Sequence, residues 1–272
     1  MESAEIGKTV KINKIKVKDD YVIIEYNVSE NKVAKLKVLY QAYEDNYFYE
    51  GVISEETFKR LIVDNAKYQI KAYVTNLMIK KPYSKNEIIY KCNEKFPNNV
   101  DLIYGVCDEL EEKRIIDDKE YVQTFLEYFN SSLYGKYYII NYFKNKGIDE
   151  EYINQINFLD KSECEKAKKY FELIKNKYVS SNYIKQKKKL SETMLVRGFD
   201  IEVINEVLSS LKIDPNIEKE NFLKELTKAK EKFKDDKEKE NRIISYMVNR
   251  GYSYNDVSSY LDKEKEEANK ND

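Results

Sequence analysis

Apolar and polar residues follow two different periods along this chain. Between residues 9 and 28, β-branched and aromatic side chains alternate with lysines and other polar groups on both sides of Asp19-Asp20. A period of two around a turn predicts a β-hairpin. Tyr47-Phe48-Tyr49 predicts one further short strand, and Ser54 is a candidate N-cap for a helix. We therefore expect residues 1–65 to form a small β-rich unit that packs on the helices after it.

From about residue 66 onward, apolar residues recur every three to four positions, which predicts amphipathic helices. Pro82 ends the first of these, because the residue before a proline avoids the α region. Ser84 and Glu87 then have the spacing of a capping box, which predicts a new helix start. A third helix is expected from Val100 to Leu110.

Three similar stretches repeat along the helical part of the chain. Met194–Ile204 and Met247–Val257 match closely, and a weaker copy surrounds Gly147. The central glycines, Gly147, Gly198 and Gly251, are spaced by 51 and 53 residues. A period of that length predicts stacked helical repeats, which usually bind long partners.

Each repeated glycine follows a helical stretch and precedes a new cap residue. Such a position favours a left-handed backbone, which glycine adopts at little steric cost. We therefore expect each glycine to end a helix, and the aromatic residue after it, Phe199 or Tyr252, to pack back on that helix.

Together these patterns predict a mainly α protein, an elongated curved array of tandem three-helix repeats with a small N-terminal unit that contains a β-hairpin. The predicted boundaries are 1–65 for the β-rich unit and 66–117, 118–160, 161–213 and 214–272 for four repeats, the last with a charged tail.

The composition argues against most enzymatic chemistry. The 272 residues include no His, which removes His-based nucleophile pairs and His-ligated metal sites. Seven glycines lie apart, so no phosphate-binding glycine loop is present. Cys92, Cys107 and Cys164 are widely spaced and are expected to be reduced, mostly packed thiols. We expect a protein that is not an enzyme, with no catalytic residues, cofactor or metal.

The chain contains no run of about 18 apolar residues, so no membrane span is expected. Its first residues lack a basic region followed by an apolar run, so no signal peptide is expected either. These features predict a cytoplasmic protein, and an array with polar ends predicts a monomer.

Charge is unevenly distributed although the net charge is only −1. Residues 161–199 contain eleven basic and four acidic side chains, whereas residues 106–127 contain eight acidic and three basic ones. Such a chain can place its basic stretch on phosphates while the acidic stretch meets a basic protein surface.

Four segments, in order, resemble the RecX family of bacterial recombination regulators. Lys80–Ile88 is similar to a basic-Pro-x-Ser-x-x-Glu-aliphatic segment, and Ile115–Tyr121 is similar to the family's Asp-Asp segment. Gly135-Lys136 with Lys146-Gly147-Ile148 resembles the second repeat, and the two Arg-Gly-aromatic stretches resemble later repeats. The resemblance covers residues 60–262. Departures are Lys95-Phe96-Pro97, in place of Gly-aromatic, and Val122, in place of Ala.

The resemblance implies a regulator that binds the RecA filament on single-stranded DNA and lodges along its groove. It further implies suppression of RecA ATP hydrolysis, strand exchange and filament growth, in recombination and the SOS response. The contact with DNA is expected to involve the phosphate backbone and to be independent of sequence, because lysines act as point charges.

The candidate residues for binding DNA or the filament are all basic. They are Lys80, Lys81, Lys168, Lys169, Lys185, Lys187, Lys188, Lys189 and Arg197. Charge reversal at Lys187 and Lys188 is expected to weaken filament inhibition and flatten its salt dependence.

Two other hypotheses fit the same sequence. A helical-repeat scaffold could bind another protein without any DNA contact. An enzyme could hold a divalent ion at the acidic cluster Glu109, Glu111, Glu112, Asp117 and Asp118. These residues are expected at a helix end and loop with no nucleotide-binding loop beside them, which favours solvated carboxylates instead.

Overall fold

The computed structural model describes residues 8–30 and 32–270. It is mainly helical, with one small antiparallel sheet near the N-terminus. The strands are β1 (Thr9–Val17), β2 (Tyr21–Ser29), β3 (Lys32–Leu39) and β4 (Gly51–Ser54). The short helix α1 (Tyr40–Asp45) lies between β3 and β4.

The helices of the remaining chain follow one another with short connections. They are α2 (Glu55–Met78), α3 (Lys85–Lys95), α4 (Val100–Glu112), α5 (Asp118–Ser131), α6 (Lys136–Asn145) and α7 (Glu150–Asn154). They continue as α8 (Asp160–Ile174), α9 (Tyr183–Val196), α10 (Ile201–Leu208), α11 (Pro215–Lys232), α12 (Lys239–Val248) and α13 (Tyr254–Lys270). Within the described residues, none of these helices is both long and apolar enough to cross a membrane.

The chain divides into two compact units. Among the described residues, the first comprises those up to Gln123 together with Lys144–Tyr152. The second comprises Thr124–Phe143 together with the residues from Ile153 onward. Both α5 and α6 therefore contribute residues to each unit.

The predicted hairpin is confirmed as β1 and β2, joined at Asp19-Asp20. The short strand predicted at Tyr47-Phe48-Tyr49 is wrong, because Tyr47 has a positive φ of 47° that interrupts extended backbone. The strand instead begins at Gly51, which pairs with Ile12 of β1. The sheet order is β3-β2-β1-β4, and its inner face packs Ile12, Val22, Ile24, Val38 and Ile53 into a core with Phe58 and Leu61 of α2.

The predicted helix starts at Ser54 and Ser84 are confirmed. Ser54 Oγ accepts the amide N–H of Thr57 at 3.1 Å, and Ser84 with Glu87 forms a complete capping box. Because α2 runs without interruption from Glu55 to Met78, the boundary predicted at residue 65 falls inside a helix.

The three repeated glycines do end helices with a left-handed backbone. Their φ values are 68° at Gly147, 92° at Gly198 and 93° at Gly251. The amide N–H of Phe199 donates to Met194 and that of Tyr252 to Met247, so both aromatics turn back on the helix they follow. Phe199 is 1% exposed and Tyr252 is 9% exposed, as the packing prediction requires.

A recurring joint surrounds the first turn of α3, α6 and α9. One of the three glycines lies against each first turn: Gly147 contacts Asn86, Gly198 contacts Tyr138 and Gly251 contacts Asn182. At each joint, a carboxylate from the second helix further along the chain (α5, α8 or α11) accepts an N–H of the same turn. These bonds are Lys85 to Asp118 at 2.8 Å, Lys136 to Glu163 at 2.7 Å and Tyr183 to Glu218 at 3.0 Å.

The carboxylates stabilise these turns because the first amides of a helix have no partner within it and carry partial positive charge. Each joint lies within one compact unit, the α3 joint in the first and the other two in the second. Three-helix repeats and their elongated, curved arrangement stay predictions.

Candidate nucleic-acid interface

Helix α9 carries the densest cluster of basic residues in the sequence, and side chains cap the N–H groups of its first turn. Asn182 is buried at 3% exposure, and its side chain accepts the amide N–H of Lys185 at 2.8 Å. Glu218 accepts the neighbouring N–H of Tyr183. These hydrogen bonds fix where α9 begins, and the helix start in turn determines which way each lysine of α9 points.

Three of the lysines share one face of α9. Lys185, Lys188 and Lys189 stand three and four positions apart, the spacing that aligns side chains on a helix. They line a groove of about 310 Å³ together with Glu192, and Asn249, Arg250 and Gly251 form its other wall. We call this the α9 groove.

Lys187 does not belong to the α9 groove. It lies two positions from Lys185 and Lys189, which places it about 160–200° around the helix from both. Its side chain is half-buried, whereas Lys185 and Lys188 are exposed. The paired charge reversal of Lys187 and Lys188 would therefore alter two different surfaces.

The two arginines of the repeated stretches are engaged within the protein. Arg197 Nε donates to the carbonyl of Leu133 at 3.2 Å, and its Nη2 donates to the carbonyl of Ser132. Its guanidinium lies 3.5 Å from the ring centroid of Tyr134. Phosphate binding by Arg197 would have to use its remaining N–H groups, and its evident role is to hold the chain after α5.

Arg250 repeats this arrangement. Its guanidinium lies 3.5 Å from the ring centroid of Tyr246, and its Nε stands 2.7 Å from a carboxylate oxygen of Glu225. The charge of Arg250 in the wall of the α9 groove is therefore offset by Glu225. The cations available to a ligand in the groove are the three lysines.

A tyrosine-lined cavity adjoins the α9 groove. It has a volume of about 600 Å³ and shares Lys189 and Glu192 with the groove. Its aromatic wall consists of Tyr134, Tyr138, Tyr170 and Tyr178, and Arg197 and Lys189 bring positive charge to it.

The tyrosines of this cavity are ordered by their neighbours. The rings of Tyr134 and Tyr138 lie 4.2 Å apart between centroids, at an interplanar angle of 31°. Tyr178 shares a hydrogen bond of 3.1 Å with Thr193, which lowers the pKa of Tyr178. Lys189 Nζ lies 5.1 Å from the Tyr178 ring centroid. The sequence gives no indication of this cavity, because its tyrosines come from three segments and no local pattern connects them.

The other candidate lysines lie outside the groove and the cavity. Lys168 forms an ion pair with Glu206 at 3.1 Å, while Lys169 is exposed on α8. Lys80 and Lys81 belong to the first unit, in the turn after α2, and Lys81 Nζ lies 4.6 Å from the ring centroid of Tyr83. Of the nine predicted residues, the structure thus brings three together in the α9 groove, and a fourth, Arg197, lines the adjoining tyrosine-lined cavity.

Several carboxylates of the acidic segment are engaged by lysines. Glu109 binds Lys71 at 2.7 Å and Lys113 at 2.5 Å, and hydrogen bonds from these two lysines lower its pKa to about 2. Lys85 Nζ binds Glu111 at 2.6 Å. Asp118 is 8% exposed and caps α3, and burial raises its pKa. Among the described residues, no cluster of metal-ligating side chains forms a metal site.

Comparison with known proteins gives a consistent picture, although no family model matches the chain. It is 29% identical over 256 residues to "Regulatory protein RecX" of Streptococcus agalactiae serotype Ia, covering 85% of this chain and 97% of that relative. The proteins of the same name from Limosilactobacillus reuteri and Lactococcus lactis subsp. lactis are 24% and 27% identical, over 74% and 69% of this chain and 79% and 70% of the relatives.

A solved structure titled "Crystal structure of regulatory protein RecX" aligns over all of its length and 74% of this chain, with a TM-score of 0.59. The chain belongs to the RecX family. At 17% identity that structure supports the shared fold of this RecX chain, and the sequence relatives carry the family assignment. The relatives' name describes regulatory proteins.

Proposed function

We propose that this protein is a non-catalytic regulator that binds the RecA filament on single-stranded DNA. Its action is mainly to inhibit RecA ATP hydrolysis, strand exchange and filament growth, during recombination and the SOS response. The observation that carries the proposal is the α9 groove, whose three aligned lysines adjoin the tyrosine-lined cavity through Lys189. The regulatory name of the relatives agrees with it.

The groove and the cavity have complementary chemistry for a single strand. Lysine ammonium groups bind phosphates without recognising sequence. Exposed aromatic faces accept unstacked bases, and each such contact contributes about 1–3 kcal/mol to binding. Lys189 lies at the boundary, so one nucleotide can place its phosphate in the groove and its base against the Tyr178 side of the cavity. A paired, stacked base cannot use the cavity in this way.

Inhibition would follow from contacts with more than one filament subunit. Several weak contacts on adjoining subunits reinforce one another, because each raises the effective concentration of the next. A regulator held in this way restrains the subunit motions that ATP turnover requires, and it acts at less than one copy per RecA subunit.

The decisive experiment measures the DNA-stimulated ATPase of RecA with substoichiometric amounts of this protein. We expect the unmodified protein to inhibit, and Lys185→Glu/Lys188→Glu to lose inhibition and show a weaker salt dependence. Lys161→Glu/Lys219→Glu makes the same change of charge at two exposed lysines of the second unit that line neither the groove nor the tyrosine cavity. That control should inhibit normally.

A second arm tests the tyrosine-lined cavity. Tyr138→Leu should weaken binding to a single-stranded oligonucleotide more than to one of the same length with abasic sites, since only the first offers bases for stacking. Equal ATPase rates with and without the protein would refute the regulator. Filament binding that needs no DNA and survives the groove variant would instead support a protein-interaction scaffold.

A further inference from the structure

The N-terminal sheet has an apolar face and a charged face. Its inner face is apolar and packs on α1 and α2, while alternation along the strands sends the intervening residues outward. The register places Lys14 opposite Glu25, Lys16 opposite Ile23, and Lys37 on the other side of Ile23. These residues belong to the outer face of the sheet.

Side-chain contacts confirm that the lysines share this face. Glu25 lies between two strands, 3.9 Å from Lys16 Nζ and 3.4 Å from Lys35 Nζ. Lys37 Nζ lies 3.8 Å from the ring centroid of Tyr21. Alternation adds Lys11, which pairs with Val52 of β4 and is exposed. The sheet face therefore comprises Lys11, Lys14, Lys16, Lys35 and Lys37 around the carboxylate of Glu25. A second carboxylate, that of Glu50, accepts the amide N–H of Ile15, between Lys14 and Lys16, at 2.8 Å.

Sequence charge gives no sign of this surface. Residues 8–54 contain eight lysines and seven carboxylates, so the segment as a whole is nearly neutral. Only the strand register gathers five of the lysines on one side, with Glu25 among them and Glu50 beside β1. The resulting charge is about +4 for the residues of the face and about +3 when Glu50 is included, at neutral pH.

Protection of a sheet edge does not by itself explain why the five lysines share one face of the sheet. Lysines often stand on edge strands, where they block pairing with other chains. The pairing of β1 with β4 ends at Ile12, so Lys14 and Lys16 do lie along an open stretch of β1. Edge protection, however, does not require that these two lysines share one face with Lys11, Lys35 and Lys37. Lys16 and Lys37 flank the same residue from two strands, roughly 10 Å apart, so their like charges repel, and Glu25 offsets part of the charge of Lys16.

We propose that this face binds the phosphate backbone of duplex DNA. Protein interfaces are depleted in lysine and enriched in arginine and aromatic residues, whereas this face is built on lysine and no arginine precedes Arg60 in the sequence. The ring of Tyr21 is covered by Lys37, so the face offers little to an unstacked base. The duplex carries one charge per about 1.7 Å of axis and is the denser polyanion. The face is independent of the α9 groove, which belongs to the other unit.

The test compares duplex binding by the full chain with binding by Lys14→Gln/Lys16→Gln/Lys37→Gln, using fluorescence anisotropy of a labelled 20-base-pair duplex across a salt titration. The variant should reduce the slope of log affinity against log salt by about 2–3. Lys67→Gln/Lys119→Gln/Lys212→Gln removes the same charge from exposed lysines outside the face and should leave the slope unchanged.

A gain-of-function variant covers the case in which the triple variant folds poorly. Glu25→Lys replaces the carboxylate between Lys16 and Lys35 and should steepen the salt slope by about 1. Equal slopes for Glu25→Lys and the unmodified protein would overturn the proposal. The proposal would also fail if a single strand of the same sequence bound as tightly as the duplex through the same lysines. It would fail as well if the triple variant lost binding to poly-glutamate but kept its binding to the duplex.

Discussion

Gly198 lies directly against the backbone of Tyr138 in the first turn of α6. A β-carbon at Gly198 would collide with the amide nitrogen and Cβ of Tyr138, and its φ of 92° is one that other residues rarely adopt. The carbonyls of Arg197 and Gly198 also accept the N–H groups of Gly135 and Tyr137 at 3.0 Å. The glycine therefore serves both the end of α9 and the start of α6.

Gly198→Ala should destabilise the protein strongly. Backbone strain and overpacking together predict a fall in the free energy of unfolding of about 2–4 kcal/mol, measured by urea denaturation. The control is Gly105→Ala in α4, where a β-carbon meets no atom within 4 Å of the described structure. That substitution should raise the free energy by about 0.5–1 kcal/mol through helix propensity. Similar effects at both sites would disprove the close contact.

Arg197→Lys should lower stability without altering the salt dependence of DNA binding. Lysine cannot reproduce the two hydrogen bonds to Ser132 and Leu133 or the flat contact with Tyr134. We expect a loss of about 1–3 kcal/mol in the free energy of unfolding. A changed salt slope with unchanged stability would show that Arg197 contacts phosphate instead.

Glu109 should contribute to stability above mildly acidic pH. Hydrogen bonds from Lys113 and Lys71 lower the pKa of Glu109 from its ordinary value of 4.5 to about 2. A depressed carboxyl pKa stabilises the folded state above the unfolded pKa, and that stabilisation is lost as pH falls through the folded pKa. The stability difference between the unmodified protein and Glu109→Gln should therefore shrink between pH 4.5 and about 2. Glu112→Gln, at an exposed position of the same helix, should show no comparable trend.

The three cysteines should differ in reactivity. Burial raises the pKa of Cys92 to about 11 and that of Cys107 to about 12, whereas Cys164 is partly exposed. A thiol reagent at neutral pH should therefore modify one cysteine in the folded protein and three after unfolding. Cys164→Ser should abolish the fast reaction, and a remaining fast thiol would show that α3 or α4 opens readily.

Local signals in the sequence predicted much of the fold. The hairpin, the capping box at Ser84 and the helix ends at Gly198 and Gly251 all depend on residues close together in the chain. The strand β3 was missed, although alternating Ala34, Leu36 and Val38 carry its pattern, because the lysines between them obscured a short apolar series.

The candidate site depends on contacts that no local pattern contains. Lys185, Lys188 and Lys189 could be placed on one face by helical spacing, but their opposite wall comes from residues 249–251. The carbonyl partners of Arg197 lie 64 and 65 residues away. The charge of the sheet face appears only after the strand register is known.

The joints at α3, α6 and α9 share one arrangement, but each has its own set of contacting residues. Ser84, Gly135 and Asn182 occupy comparable places, yet each receives a different neighbour, and the capping acid changes from Asp118 to Glu163 and Glu218. A chimera that transplants one helical segment from a homologous protein must therefore carry its complementary half as well. Exchanges made only at helix boundaries would separate the first turn of a helix from the glycine and the carboxylate that contact it.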